Sequence, residues 1–496
     1  MTAPEIRTYG NWRKPTSPGI LGLGMAGTMI LLGGMVTIIV SMMISLVFAI
    51  FLTVLLAVVL APLLYRDRQG RTGLQWLVAR GAWSRGKAKG QHLYRSGPLG
   101  RIPLGTCKLP GLAAGSKLYE AQDAYQRPFA LLTVPSTNDH TVVIECDADG
   151  GSLVDTEQVD TWVAYWGQWL AALGNEPGIV AASVTVETAV DTGERLRREV
   201  FDHLRPDAPN LSKHVLNEVV EFYPVGSARV STRVALTFSG APRPGVPKRT
   251  PEEMATELGT RLPGLCAGLQ MTGAGQARPM SGTELAEAVR VAYDPSVAAL
   301  IDQARSEGGA GITWDDAGPS ATQEAWDHYR HDGALSVTWA MSDAPRGEVF
   351  SNVLARLLGP HPDIDRKRVT LLYRPHDSST AASIVERDVK DAMFKAKQAK
   401  VGNARDSIAV RAAQQSAQEE ATGAGLVKFG MLVTATVEDS DGLDLAASAM
   451  DNLSASARIA IRRVYGSQAS AFAAALPLGL VLPKHLKVPQ TVRDAM

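Results

Sequence analysis

The longest apolar stretch of the chain lies near its start. No Asp, Glu, Lys or Arg occurs between Lys14 and Arg66, and Ile20 to Leu64 is mostly Leu, Ile, Val, Met, Ala and Gly. One crossing of a hydrocarbon core of roughly 30 Å takes about 20 apolar residues, so the stretch is about twice too long for a single helix. It predicts two passes, near Ile20–Val40 and Ile44–Leu64, turning around Met42 and Met43 with Ser41 and Ser45 at the tip. Gly19, Gly22, Gly24, Gly27, Gly33 and Gly34 fall in or just before the first pass, where small residues let helices approach closely in lipid. Buried core helices and secretory signal cores are both much shorter apolar runs.

Past residue 119 the patterning changes to that of an α+β protein. Phe129–Pro135 and Thr141–Cys146 read as strands joined by the turn-forming Ser136, Thr137, Asn138 and Asp139. From Asp155 to Leu173, Val159, Trp162, Val163, Trp166, Trp169 and Leu170 recur at helical spacing, which makes the tryptophans core residues. Val180–Val190 alternates as a strand, Thr192–Leu204 and Leu211–Phe222 fit helices, and the run from 228 to 238 alternates again. Thr250 with Glu253 three residues on predicts a capped helix start. Further on, Ala334–Met341, Arg368–Tyr373 and Leu426–Val437 read as strands, with helices at Gly347–Leu358, Leu443–Ser456 and Ser467–Ala474.

These elements predict a division into an N-terminal segment at 1–18, a transmembrane helical hairpin at 19–65, a basic Gly- and Pro-rich connector at 66–118, a first α+β domain at 119–241, a second at 250–480 and a tail at 481–496. The Ala-, Gln-, Glu- and Lys-rich stretch at 378–422 is expected to form a long helical projection from the second domain, broken near Gly402 and Asn403.

Charge sets the expected orientation. The chain as a whole is balanced, with 50 basic and 50 acidic residues, so the bias is local. Arg7, Arg13 and Lys14 precede the first pass, and Arg66, Arg68, Arg71, Arg80, Arg85, Lys87 and Lys89 follow the second against the single acid Asp67. Basic residues on both flanks place both ends in the cytoplasm, as a multi-pass protein of the cytoplasmic membrane. The same seven basic residues after the second pass are the candidate contacts to anionic lipid or to nucleic acid. Tyr9, Trp12, Tyr65, Trp76 and Trp83 lie near the flanks, where amphipathic rings suit the headgroup layer. Only Cys107, Cys146 and Cys266 occur, an odd and scattered set that fits a reducing compartment.

Candidate chemistry is sparse. The segment GAWSRGKA at 81–88 approaches a phosphate loop through Gly81, Gly86 and Lys87, but Ala88 stands where a hydroxyl would hold Mg²⁺. His328 and His331, with Asp327, Asp332, Asp315 and Asp316, are the residues a metal would choose, and on a helix the two histidines would share a face. A hydrogen-bonded polar cluster is the plainer reading. The apolar passes contain no ionisable group, which argues against a transport pathway. No catalytic, cofactor-binding or metal-binding residue is assigned, and a non-enzymatic role is expected.

RTYGNWRKPTSPG with the hydrophobic run, then QHLYRSGPLGRIPLGTCKLPG, QVDTWVAYWGQWLAALG, AASVTVET, WDHYRHDGALSVTWAMSDAPRG, RKRVTLLYRPHD and GAGLVKFGMLVTATVED, resemble a family of actinobacterial membrane proteins of conjugative elements. In that family the hairpin is similar to the PrgI-type subunit of type IV secretion systems. The later part, including ASAFAAALPLG at 469–479, resembles the domain that precedes the motor in conjugation ATPases. A weaker resemblance is to EccE of type VII secretion. The resemblance implies an inner-membrane subunit of a DNA-transfer or secretion machine, in an oligomeric assembly with a partner motor ATPase and other subunits, with the transferred DNA as a further candidate partner. An EccE-like component and a membrane-tethered DNA-binding protein are the alternatives.

Overall fold

The computed structural model describes residues 7–10, 12, 24–65, 67, 72–100, 105–148, 150–151, 153–222, 228–242, 245–345, 347–398 and 404–486. Helices α1 (Gly24–Met42) and α2 (Leu46–Leu64) follow one another through Met43–Ser45, the Ser45 hydroxyl capping α2. Only α2 is long and apolar enough, among the described residues, to cross a membrane; the apolar part of α1 is the shorter Gly27–Met42. Both helices are exposed, with Val36 of α1 61% and Val47 of α2 78% accessible. An apolar surface so large on every side has water as its least favourable solvent. Where the two helices touch, a Cβ on Gly34 would meet the Leu56 side chain at 2.6 Å, so glycine permits the approach.

The remainder is α+β, built on one antiparallel sheet. In chain order come α3 (Gly73–Ala88), β1 (Leu93–Arg95), β2 (Lys117–Gln122), β3 (Pro128–Val134), β4 (Asp139–Asp147), α4 (Thr156–Leu173), β5 (Ile179–Val190), α5 (Glu194–Asp202), α6 (Asn210–Phe222) and β6 (Ala228–Ser239). Then follow α7 (Pro251–Leu269), β7 (Gln276–Pro279), α8 (Gly282–Tyr293), α9 (Ala298–Ser306), β8 (Ala321–Glu324), β9 (Tyr329–His331), β10 (Ala334–Asp343), α10 (Ala355–Leu358) and β11 (Arg366–Pro375). Last are α11 (Ser378–Gln398), α12 (Ala404–Ala421), β12 (Val427–Val437), α13 (Gly442–Ser456), β13 (Ala460–Arg463) and α14 (Gln468–Ala475). The strand order is β1-β8-β9-β10-β12-β11-β5-β6-β4-β3-β2, with β13 also on β10 and β7 on β4.

This sheet changes the expected domain division. The two halves meet where β5 pairs with β11, from Ala182 with Tyr373 to Ala189 with Arg366. The expected boundary at 242–250 separates no cores. Helix α7 returns Met254, Leu258, Leu262, Cys266 and Leu269 onto Phe129, Leu131, Ile144, Val234 and Leu236 of the first half. The hydrophobic pattern did not distinguish this because strand alternation shows that a face is buried, not which helix covers it. The connector at 66–118 is also more ordered than expected, holding α3, β1 and the start of β2. The helix expected at Gly347–Leu358 shrinks to α10, because Val349 pairs its backbone with Tyr9 and Gly347 adopts φ +80.

Strand alternation gives the sheet two different faces. On one, α4 and α7 cover the first half and α10 and α13 cover the second, with Val337, Trp339, Val369 and Val433 beneath. The other face carries a row of hydroxyls: Thr141 bonds Thr237, Thr185 bonds Thr370, Thr338 bonds Thr434, and Ser336 bonds Thr436. The chain from α14 to Leu480 runs across this row. Thr370 donates to the Ala475 carbonyl at 2.7 Å and Thr237 to the Gly479 carbonyl at 2.9 Å, while the Gln468 side chain accepts from the Thr338 N–H at 2.8 Å. Gly479 has φ +62, and a Cβ there would stand 2.2 Å from the Thr237 hydroxyl, so the crossing requires glycine.

Candidate membrane-contact site

Helix α3 begins where α2 ends. The Thr72 hydroxyl caps it by accepting the Gln75 N–H, and the Gly73 N–H donates to the Tyr65 carbonyl at 3.0 Å. A Cβ on Gly73 would come within 3.0 Å of the Pro62 carbonyl oxygen. Leu74 packs with Leu60, Leu63, Leu31 and Leu56, which sets the first turn of α3 against the end of the apolar pair. Trp76, Leu77 and Val78 follow, each about half exposed. The helix then turns basic, with Arg80, Arg85 and Lys87 exposed and Lys89 as its C-cap. Positive charge in the last turn also opposes the partial negative charge of the helix C-terminus.

Two of these cations are engaged. The Arg80 guanidinium lies 4.7 Å from the Trp326 ring centre and 5.1 Å from that of Trp83, and Lys87 Nζ lies 5.1 Å from Trp83. Trp83 meets Trp326 edge to face at 5.5 Å. The β8–β9 turn therefore holds α3 through an aromatic and cation–π cluster. Arg85 and Lys89 are exposed beside it, whereas Arg66, Arg68 and Arg71 lie outside the described residues.

The segment before α1 docks on the segment after β10 and on α4. Tyr9 and Val349 exchange two backbone hydrogen bonds of 2.8 Å, Thr8 donates to Glu348 at 2.6 Å, and the Tyr9 phenol donates to Asp160 at 2.5 Å. Burial, reinforced by that carboxylate, pushes the phenol up to about 12. The flanking aromatics thus divide. Tyr65 and Trp76 remain exposed next to the apolar helices, while Tyr9 and Trp83 are anchors on the folded body.

The other candidates occupy different surroundings. GAWSRGKA lies within and ends α3, so Gly86 and Lys87 sit at a helix C-terminus, whereas a phosphate cradle needs the N–H groups of an N-terminus. The two histidines lie on a β-hairpin and not on a helix. His328 is in the turn, paired with Asp327 at 2.9 Å, and His331 is fully buried in β9. His331 Nδ1 donates to the Tyr293 carbonyl at 2.6 Å, so its Nε2 accepts from the Ser336 hydroxyl at 2.7 Å. Burial lowers this imidazole to about 4 and keeps it neutral. Asp332 accepts the N–H groups of Ser320 and Ala321, Asp315 faces Lys108, and Asp316 accepts from Thr313.

A row of charges that periodicity did not single out crosses the hydroxyl face. Arg278 joins Glu284 to Glu145, Arg233 joins Glu145 to Glu187, and Arg366 and Arg368 close on Glu187 from β11. Glu187 is fully enclosed. Desolvation opposes its charge, but Arg368, Arg366 and Arg233 outweigh it and hold the carboxyl well below the usual range. Its traces in the sequence were scattered: Glu145 in β4, Glu187 in β5, Arg233 in β6, Arg278 in β7, and Arg366 and Arg368 in β11.

No curated protein compared with the chain matches it. Over residues 16–75, which span α1, α2 and the start of α3, the chain matches a family model described as a domain of unknown function (DUF8461).

Proposed function

We propose that the chain is a non-enzymatic inner-membrane subunit of a conjugative, type IV-like DNA-transfer or secretion machine, with α1 and α2 as a two-pass anchor and the sheet as a docking platform for a partner ATPase. One observation carries the anchor. The segment before α1 is hydrogen-bonded to Val349, Glu348 and Asp160, and α3 after α2 is packed on Trp326 of the same body. A single folded body lies on one side of a bilayer, so both flanks lie on that side and the chain between them crosses an even number of times. Two crossings fit its length. The basic flanks make that side the cytoplasm.

The machine is inferred from the resemblance, and the surface of α6 supports a docking role. Leu211, Val215, Val219 and Phe222 form an exposed apolar stripe, 39 to 74% accessible, on a helical excursion between β5 and β6. That excursion leaves the sheet at the strand ends opposite those near the anchor, facing away from the membrane.

Impermeant thiol labelling in a Cys107→Ser background tests the anchor. Met43→Cys should react in intact spheroplasts and Thr8→Cys only after lysis; labelling of Thr8→Cys from outside overturns it. Purification in mild detergent tests the machine. The chain should carry a motor ATPase from the same cell, and Leu211→Glu with Phe222→Glu should release it. Recovery as a free monomer only counts against the role.

A further inference from the structure

The α11–α12 hairpin is a long arm that packs against itself. Ala381, Val385 and Ala392 of α11 and Ala413 of α12 are buried along its seam. At 21 residues, α11 alone is about 31 Å long. Where the arm begins is informative. It grows from Pro375 and Val427, paired at the end of β11 and the start of β12. The strands of that sheet end carry the anchor. Asp343 at the end of β10 pairs with Ala460, Val349 just beyond it receives Tyr9, and Asp67 lies beside Arg462 of β13, where its charge opposes the effect of burial. Arm and anchor leave the same end of the sheet.

The far end of the arm differs from its shaft. The shaft mixes signs, with Glu386, Arg387, Asp388, Lys390 and Asp391 on α11 and Arg411, Glu419 and Glu420 on α12. From Met393 to Ile408 the sequence has Lys395, Lys397, Lys400 and Arg405 against the single acid Asp406. In the same place large apolar side chains turn outward. Phe394 and Ile408 are each 62% exposed, Met393 is 38% exposed, and Lys397 is exposed beside them. Exposed apolar groups beside Lys397, in a stretch whose sequence is rich in Lys and Arg, match an anionic lipid surface, whose headgroups attract the charges while its acyl boundary takes the apolar side chains.

We propose that the end of the α11–α12 arm rests in the headgroup layer of an anionic membrane through Phe394, Met393, Ile408 and Lys397. This rests on the two-pass anchor, and gives the body a second foot on the bilayer that limits its tilt about the α2–α3 junction.

The test uses the full chain with Cys107→Ser, carrying an environment-sensitive fluorophore at Phe394→Cys or, as the shaft reference, at Glu419→Cys. The chain is reconstituted into phosphatidylglycerol–phosphatidylethanolamine vesicles or phosphatidylcholine vesicles. Brominated acyl chains should quench the probe at 394 about twofold in the anionic vesicles, less at high salt or with Lys397→Glu, while the probe at 419 stays unquenched. A solvent-like signal at 394 in both lipids, or equal quenching at 394 and 419, overturns the proposal, as does protection at 394 only when another protein or DNA is added. Extraction of the chain from vesicles by alkaline carbonate overturns the anchor and the proposal together. Stable insertion with a wet probe at 394 overturns the proposal alone.

Discussion

At the scale of residues, the polar face of the sheet decides the energetics. Glu187 meets Arg368 across 181 positions of sequence, and removing one partner from such an enclosed set strands a charge at a cost of about 3–5 kcal/mol. His331 offers a cleaner measurement. Its folded pKa, about 4, lies below the ordinary value of 6.5, so the unfolded chain takes up a proton first as pH falls. Its neutral native state is therefore fully stabilising above about pH 6.5, and the stability drains away down to about pH 4, by roughly 3 kcal/mol. The melting temperature of the detergent-solubilised chain should fall across that window. His331→Gln should melt lower at pH 7, having lost two hydrogen bonds, yet show a flatter decline; an equally steep decline sinks the assignment. None of this was legible beforehand. A histidine near aspartates advertised a polar loop, and only the pairing of β9 with β10 put its ring beneath Phe472.

At the scale of elements, legibility followed local chemistry. The helix at Pro251 was readable because Thr250 and Glu253 form both halves of a capping box, and β5 because SVTVET alternates without interruption. Helix α3 was hidden by Gly81 and Gly86, each poor in a helix interior, and is held by its tertiary contacts. Trp326→Ala should therefore free it. Loss of the Trp83 edge contact and the Arg80 cation–π contact is worth about 1–2 kcal/mol, so tryptic cleavage within 80–89 should quicken by roughly tenfold while the sheet's own melting barely moves. Unchanged cleavage would mean that α3 is held by α2 alone.

At the scale of the whole molecule, one sheet does what two domains were expected to do. The β5–β11 seam was invisible to a reading by segments, because it depends on which strands lie side by side and not on their own patterns. The strip from Gln468 to Leu480 crosses strands of both halves, with Thr338 and Thr370 beneath one end and Thr237 beneath the other. A chain truncated before Gln468 should still insert through its anchor, but its body should be degraded by low protease at a rate at least tenfold above that of the full chain. Equal resistance would show the strip to be dispensable.

The clasp between Tyr9 and Val349 also imposes a schedule. On the proposed anchor α1 and α2 would reach the membrane early, yet Val349, which fastens their leading flank, is made some 340 residues later. Until then the helix pair is held from one side only, and α1 lacks the clasp that fixes its leading flank. The unfinished sheet meanwhile exposes its hydroxyl face, awaiting the last strip. Contacts of such long sequence separation form slowly, so the clasp and the last strip should close late, and an incompletely covered sheet is the kind of species that chaperones bind and proteases cut.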